Sequence, residues 1–386
     1  MLFIKNGNIF TMAGDIIEGG SILIKDGKIE EVGKDIVAPL DAEIIDAEGK
    51  MVLPGFIDAH CHIGMFEEGM GFEGLDVNEM IDPVTPQLRA IDAINPMDLA
   101  FEEAYMGGVT TAVTGPGSAN VIGGTFVALK TYGKRVDDMI LKEPVAMKIA
   151  FGENPKRVYE SQKKSPMTRM ATAAILRETL FKARAYMEKK EQAKEDPSKM
   201  PEFDMKMEAL LKVLKKEIPL KAHAHRADDI FTALRIAKEF DVDITLDHCT
   251  EGHLIADYLR EEGKGAIVGP TLSNRSKIEL KNLTFETPKI LHEAGVKIAI
   301  MTDSPVIPLH YLPICAGLAV KSGLDEMEAL KAITINAAEI VGIDDKVGSI
   351  EIGKDADIVI FDGNPIKDID CKTIATIING EVVYKA

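Results

Sequence analysis

The sequence predicts an α/β protein in which a closed (β/α)8 TIM-like barrel is joined to a small β-sandwich formed from both ends of the chain. Between residues 54 and 345, apolar strand-like runs alternate with helical stretches, which is typical of a parallel sheet covered by helices. The two ends, 1–53 and 346–386, contain short β-type runs separated by turn dipeptides such as Asn6-Gly7 and Asn379-Gly380. No GxGxxG opens the first βα unit, which disfavours an open doubly wound sheet.

The barrel elements follow one another in a regular order. Their strand-like runs are 55–60, 109–113, 145–150, 220–224, 244–246, 266–268 and 297–301, and the helical stretches are 96–106, 171–190, 228–240, 253–262 and 325–333. The strands are rich in Val, Ile, Leu and Ala, as expected for strands that are covered on both faces. Two insertions stand out: 66–89, a Met- and acid-rich cap or surface loop, and 189–204, a charged helix extension or loop.

Composition excludes several classes of partner. The formal net charge of −17 argues against nucleic acid, which needs a basic face. No apolar run reaches the roughly 18 residues of a membrane span. The first residues do not resemble a signal peptide, and the four cysteines are far apart and are expected to be free thiols. We therefore expect a cytoplasmic homo-oligomer that acts on a small molecule.

Metal-ligating side chains end several of the predicted strands. His60 and His62 are two residues apart, so a strand presents both imidazoles on one face. Each such residue alone has an ordinary structural explanation, such as a helix N-cap or a buried hydrogen bond. Together at the carboxyl ends of barrel strands, where barrel active sites lie, they indicate a site for Zn²⁺ or a similar ion. The further members are Lys148, Glu153, His223, His225, His248 and Asp303.

A hydrolytic metal site needs an open coordination position for water, whose pKa the metal lowers towards about 7. It also needs a base for that water and an acid for the leaving group. Asp303, which ends the last barrel strand, is suited to act as ligand, base and proton shuttle in turn.

Three groups of motifs extend this interpretation to the whole chain. They are VLPGFIDAHCHIG near the N-terminus, GGVTTAVTG in the middle, and VGSIEIGKDADIVIFDGNP near the C-terminus. With these motifs the chain resembles the amidohydrolase superfamily, and most of all its imidazolonepropionase-like and N-acetylglucosamine-6-phosphate deacetylase-like branches. The resemblance implies a metal-binding barrel with a β-sandwich from both termini, and one or two divalent ions, zinc above all.

The resemblance also assigns ligands. It implies that His60 and His62 form the first-strand pair, and that His223 and His248 are the ligands on the fifth and sixth strands. Asp303 would activate water. The remaining ligand is a glutamate in the deacetylase-like branch, which Glu153 would supply, or a carbamylated lysine in other branches, which Lys148 would supply. The sequence intervals favour Glu153, with Lys148 as the alternative.

One position departs from the family pattern. Imidazolonepropionases and many aminohydrolases have a glutamate three residues after the fifth-strand histidine, where this chain has Arg226. The departure weighs against those activities. His225 and Arg226 could instead bind an anionic substrate group, or Arg226 could pair with Asp228 or Asp229. The loops after later strands provide three further candidate substrate contacts, namely Asn274, Arg275 and His310.

The leading hypothesis is a metal-dependent amidohydrolase that uses metal-activated water to cleave a C–N bond in a small polar or anionic amide, N-acyl or cyclic amide substrate. His248 and Asp303 would be its catalytic residues. The alternatives are a dipeptidase- or prolidase-like hydrolase with carbamylated Lys148, a deaminase of the same fold, and a non-catalytic binding relative.

Overall fold

Two eight-stranded sheets organise the chain in the computed structural model, which describes residues 1–386. The strands are β1 (Leu2–Ile9), β2 (Ile17–Lys25), β3 (Lys28–Gly33), β4 (Glu43–Asp46), β5 (Met51–Pro54), β6 (Phe56–Cys61), β7 (Val109–Thr114), β8 (Ile122–Lys130), β9 (Ile140–Ala150), β10 (Leu220–Ala224), β11 (Ile244–His248), β12 (Ala266–Val268), β13 (Ile298–Ile300), β14 (Ile358–Phe361), β15 (Thr373–Ile378) and β16 (Glu381–Lys385).

The helices lie mostly between the strands of the second sheet. They are α1 (Leu99–Met106), α2 (Val136–Met139), α3 (Glu153–Ser161), α4 (Arg169–Glu195), α5 (Met205–Leu214), α6 (Ala227–Phe240), α7 (Ala256–Glu262), α8 (Thr287–Glu293), α9 (Leu312–Lys321), α10 (Glu326–Ala332) and α11 (Ile335–Val341). None of them is both long and apolar enough to cross a bilayer. The charged insertion 189–204 begins as the last turns of α4, and the insertion 66–89 contains only a short 3-10 segment.

The first sheet combines both ends of the chain, as predicted. Its order is β16-β15-β14-β5-β1-β2-β3, with β4 also paired to β1. The dipeptides Asp26-Gly27 and Asn379-Gly380 connect hairpins, and all four residues have positive φ angles, as a type I′ turn requires. Asn6-Gly7 does not form the predicted turn. It lies inside β1, where the register with β2 shifts, because a positive φ of 56° at Asn6 also suits a bulge.

The second sheet has the order β13-β12-β11-β10-β9-β8-β7-β6. It nearly closes, since the backbone N–H of His62 after β6 donates to the carbonyl of Ser304 after β13 at 2.8 Å. Seven strands are parallel, but β8 is antiparallel to both neighbours. The regular alternation of the sequence prediction therefore fails at one place: residues 122–130 form a reversed strand that was not predicted, and no helix separates β7 from β8.

The largest hydrophobic core lies around the second sheet and contains 66 buried residues, while a cluster of 16 lies on its other side. The two sheets are joined by buried charges. Lys130, the last residue of β8, places Nζ 2.9 Å from Asp355 Oδ2 and 2.5 Å from Asp357 Oδ2. Burial raises the pKa of Asp355, but the nearby ammonium groups of Lys130 and Lys28 lower it by more. The pKa of Asp355 is therefore below its ordinary value. The ion cluster therefore fixes β8 against the segment that leads into β14.

Candidate metal centre

The first group of metal-ligating side chains gathers where β6 and β13 end. Asp303 Oδ1 lies 3.3 Å from His62 Nε2 and 3.5 Å from His60 Nε2. His60 is fully buried. The Nδ1 of His62 is 2.7 Å from the carbonyl oxygen of Gly115, which fixes the ring so that Nε2 faces the carboxylate. Three ligand atoms thus converge on one point.

The second group lies at the ends of β10 and β11, and consists of His223, His225 and His248, all buried. His248 has a φ of 71° and its Nδ1 is 2.9 Å from the carbonyl oxygen of Gly269, while His225 Nδ1 is 2.7 Å from Thr250 Oγ1. Burial, reinforced by neighbouring imidazoles, lowers the pKa of His223 and His225 well below the usual value. Burial lowers the pKa of His248 to about 3. The rings are therefore neutral, which is the form that binds metals.

Lys148, in β9, lies against the first group. Its Nζ is 3.3 Å from His60 Nε2, and the side chain is fully buried. Burial lowers the pKa of Lys148 to about 8, which the carboxylate of Asp247 partly opposes and the ammonium of Lys221 reinforces. An appreciable fraction of this amine is therefore neutral near pH 7.

The buried ion pair of Asp247 and Lys221 contacts His60 on the Nδ1 side of its ring. Asp247 Oδ2 is 3.1 Å from His60 Nδ1, and its Oδ1 is 3.0 Å from Lys221 Nζ. Lys221 also donates to the carbonyl of Ala59 at 3.0 Å. A carboxylate on Nδ1 leaves Nε2 of the ring for a metal. Neither Lys221 nor Asp247 was predicted from the sequence, although each is a charged residue inside an apolar run, PLKAHAH and ITLDH respectively.

The chemistry of these side chains fits a divalent ion. His223 Nε2 is a buried atom without a hydrogen-bond partner, a costly state unless another ligand satisfies it. Burial raises the pKa of Asp303, but hydrogen bonds from His60 and His62 and the proximity of His248 lower it well below its usual value. Imidazole nitrogens and an ionised carboxylate are the donors that zinc and similar ions prefer.

Glu153 is not brought to either group. It is the first residue of α3, and its backbone N–H donates to Glu279 Oε2 at 3.0 Å. Gly152, with a φ of 81°, turns the chain away from the end of β9 before Glu153 is reached. Lys148, four residues before that turn and still inside the strand, is the side chain that this geometry places beside the histidines.

A cavity of about 1010 Å³ opens over both groups. Of the predicted substrate contacts, His225 and Asn274 line it. Arg226 does not; its guanidinium makes two hydrogen bonds to Asp228, at 2.9 and 2.8 Å.

The two other predicted contacts also lie outside this cavity. Arg275 donates to the carbonyls of Lys281 and Leu283, and so holds its own loop. His310 is 3.4 Å from Glu103 and lines a separate groove beside α9. Of the predicted loop residues only Asn274 lines the cavity, because loop direction depends on contacts that one sequence does not specify.

The model of the amidohydrolase family matches residues 51–383. The chain belongs to the amidohydrolase family. A solved structure of an amidohydrolase from Thermotoga maritima MSB8 is 45% identical, covers all of both chains and superposes with a TM-score of 0.97.

Curated relatives of this amidohydrolase are more distant. The amidohydrolase tasK of Hapsidospora irregularis is 29% identical over 90% of this chain, which spans 38% of that protein's length. The imidazolonepropionase of Symbiobacterium thermophilum is 25% identical over 94% of this chain and 90% of its own. Together with relatives named adenine deaminase, these names indicate a hydrolase that acts on C–N bonds.

Proposed function

We propose that this amidohydrolase is a metal-dependent enzyme that hydrolyses an amide-type C–N bond in a small molecule bound over the two ligand groups. One or two divalent ions, zinc first, would be held by His60, His62 and Asp303 and by His223 and His248. The observation that carries the proposal is the convergence of five imidazoles, an ionised Asp303 and a buried amine beneath one cavity.

Lys148 is the proposed remaining ligand, as a carbamate. Its Nζ already lies 3.3 Å from the nitrogen that His60 would offer to a metal, so a protonated ammonium there competes with metal binding. Attack of the neutral amine on carbon dioxide forms an N–C bond and releases one proton to solvent. The product replaces a cation by an anion with two oxygen donors, which suits a site surrounded by histidines. Glu153 has no comparable position.

A bound divalent ion lowers the pKa of a coordinated water and polarises a substrate carbonyl. In this proposal the protein's own residues transfer the protons and orient the metal ligands and the substrate. Asp303, ionised and turned towards His60 and His62, accepts the proton of the attacking water and returns it to the leaving nitrogen. The Nε2 of His225, 3.7 Å from Glu279 Oε1, lies at the cavity wall where it contacts substrate. Asp247 keeps His60 in the tautomer that offers Nε2.

The test combines elemental analysis with a hydrolysis screen. The purified protein, as isolated and after chelation and zinc or manganese reconstitution, is assayed with N-acyl amino acids, dipeptides, cyclic amides and adenine. The proposal predicts stoichiometric divalent metal and an amidase activity that chelation abolishes and metal restores. Absence of metal after reconstitution contradicts it. Hydrolysis of adenine alone supports the deaminase alternative, which the Arg226 position disfavours.

A further inference from the structure

The cavity wall beyond the ligand groups carries an organised set of cationic and amide side chains that the sequence analysis did not select. Two of them, Asn154 and Arg157, are three residues apart on α3 and line the cavity together, as residues one turn apart on a helix do. Lys277, from the loop after β12, lines it as well. The wall therefore unites two distant segments of the chain.

Lys277 is held in place rather than free on the surface. Its side chain is only 15% exposed, and its Nζ is 2.6 Å from Glu279 Oε1 and 3.1 Å from Asn154 Oδ1. The amide of Asn154 in turn donates to Ser118 Oγ at 2.7 Å. The ammonium is near enough to the second ligand group to help lower the pKa of both His223 and His225. The ammonium of Lys277, paired with Glu279, is thus held beside the reaction centre.

Arg157 differs from the other arginines near the site. Arg226 is bound to Asp228, and Arg275 is bound to backbone carbonyls. The side chain of Arg157 is exposed and lines the cavity, and its guanidinium makes no ion pair or hydrogen bond with another side chain. In a protein with a net charge of −17, an unpaired guanidinium facing a cavity is a vacant partner for an anion, and its planar fork matches a carboxylate.

Negative charge in the cavity comes mainly from another segment. Glu67 and Glu68, on the loop after β6, line it, and Glu67 already accepts a hydrogen bond from Asn95 at 2.7 Å. Asp303 belongs to the first ligand group. The cavity therefore has one side that carries Arg157 and Lys277, of which Lys277 is paired with Glu279, and an acidic side formed by the loop after β6.

We infer that Arg157 and Lys277 form a subsite for a substrate carboxylate, so that the preferred substrates are N-acyl amino acids or dipeptides with a free carboxyl end. This inference rests on the proposed function for the scissile bond, but the subsite itself is a binding property. A charge-assisted hydrogen bond contributes an amount that corresponds to roughly tenfold to hundredfold in affinity. The acid should therefore exceed its uncharged amide by about that factor.

The experiment compares matched pairs, N-acetyl-L-amino acids with their amides and dipeptides with their C-terminal amides, on the metal-loaded protein. For pairs that are hydrolysed, kcat/KM is measured; for pairs that are not, binding is measured by calorimetry. In wild type we expect the acid to be preferred. Arg157→Met should reduce that preference at least about tenfold with little effect on the amide, and Arg157→Lys should restore part of it.

Arg135→Met is the matched control, because it removes the same charge from an exposed arginine that pairs only with Asp138. It should leave the preference unchanged. The inference is overturned if wild type treats acid and amide alike, or if Arg157→Met and Arg135→Met have equal effects. A protein that prefers the acids in binding but holds no metal would contradict the proposed function while retaining the subsite.

Discussion

Lys130 and Lys148 are both buried lysines at the second sheet, but their surroundings differ. Lys130 is enclosed by two aspartates at 2.9 and 2.5 Å, so its charge is compensated twice. Lys148 has one carboxylate at 3.6 Å and shares it with Lys221 and His60. Burial therefore lowers the pKa of Lys148 to about 8, which leaves part of its amine neutral near pH 7. The comparison indicates that a buried lysine keeps its charge where two carboxylates compensate it and loses part of it where compensation is incomplete.

The largest effect is expected from Lys148→Met. The substitution keeps an unbranched side chain in the strand but removes the amine, so we expect activity to fall by more than about hundredfold, since loss of groups that merely support a metal ligand costs 10–100-fold. The far-ultraviolet circular dichroism should not change. Steady-state rates on the best substrate measure the effect, and retention of full activity would remove Lys148 from the site.

Lys130→Met should reduce stability and leave the metal site intact, in contrast to Lys148→Met. It leaves Asp355 and Asp357 buried without their cation, and we expect a loss of about 3–5 kcal/mol in the free energy of unfolding, with metal content per folded chain preserved. Denaturant titration measures the loss. The comparison between the two lysines fails if Lys130→Met loses metal while remaining folded.

The loss of unfolding free energy in Lys130→Met should also depend on pH. Because the folded pKa of Asp355 is lowered, its contribution is fully present above the unfolded value of about 3.9 and is lost as the pH falls through the folded value. The difference between wild type and Lys130→Met should therefore shrink below about pH 4. A difference that grows in acid would contradict the assigned ion cluster.

Asp247→Asn tests the incomplete compensation around Lys148, because Asp247 is the one carboxylate beside Lys148, Lys221 and His60. We expect metal affinity to fall about 10–100-fold, since the amide holds the tautomer of His60 less firmly. Competition with a chelator of known affinity provides the measurement. Asp243→Asn, which removes an exposed carboxylate 3.4 Å from Lys264, is the control and should bind metal as wild type does.

The smallest effect is expected from Glu153→Gln. Its carboxylate belongs to neither ligand group, although its Oε2 is buried without a hydrogen-bond partner, so we expect a smaller loss of rate than in Lys148→Met. A loss of activity as large as that of Lys148→Met would restore the glutamate arrangement favoured by the sequence intervals.

The sequence predicted those parts of the molecule that follow strand periodicity. His60, His62, His223, His248 and Asp303 were selected as residues that end apolar runs, and strand ends of a barrel meet at one rim whatever their loops do. The two sheets were predicted for the same reason, with short turn-bounded runs marking one and apolar runs marking the other.

The remainder depended on interactions between distant residues. The run 122–130 is apolar like the parallel strands, so nothing in it marks the reversed direction of β8. The proposal of Lys148 rather than Glu153 as ligand depends on the turn at Gly152, which the sequence does not reveal. Arg157 could not be distinguished from Arg226 until ion pairs were known. Lys221 and Asp247 were not predicted as site residues because each is a single charged residue within an apolar run. Their role becomes visible only when the structure shows that they pair with each other.

The most direct test of the central claim is the metal content of three proteins, wild type, Lys148→Met and Glu153→Gln, each purified and reconstituted with zinc in the presence and absence of bicarbonate. The account predicts that wild type and Glu153→Gln bind the same amount of metal, that bicarbonate increases or stabilises it in both, and that Lys148→Met loses metal and no longer responds to bicarbonate. Loss of metal in Glu153→Gln with full retention in Lys148→Met would contradict it.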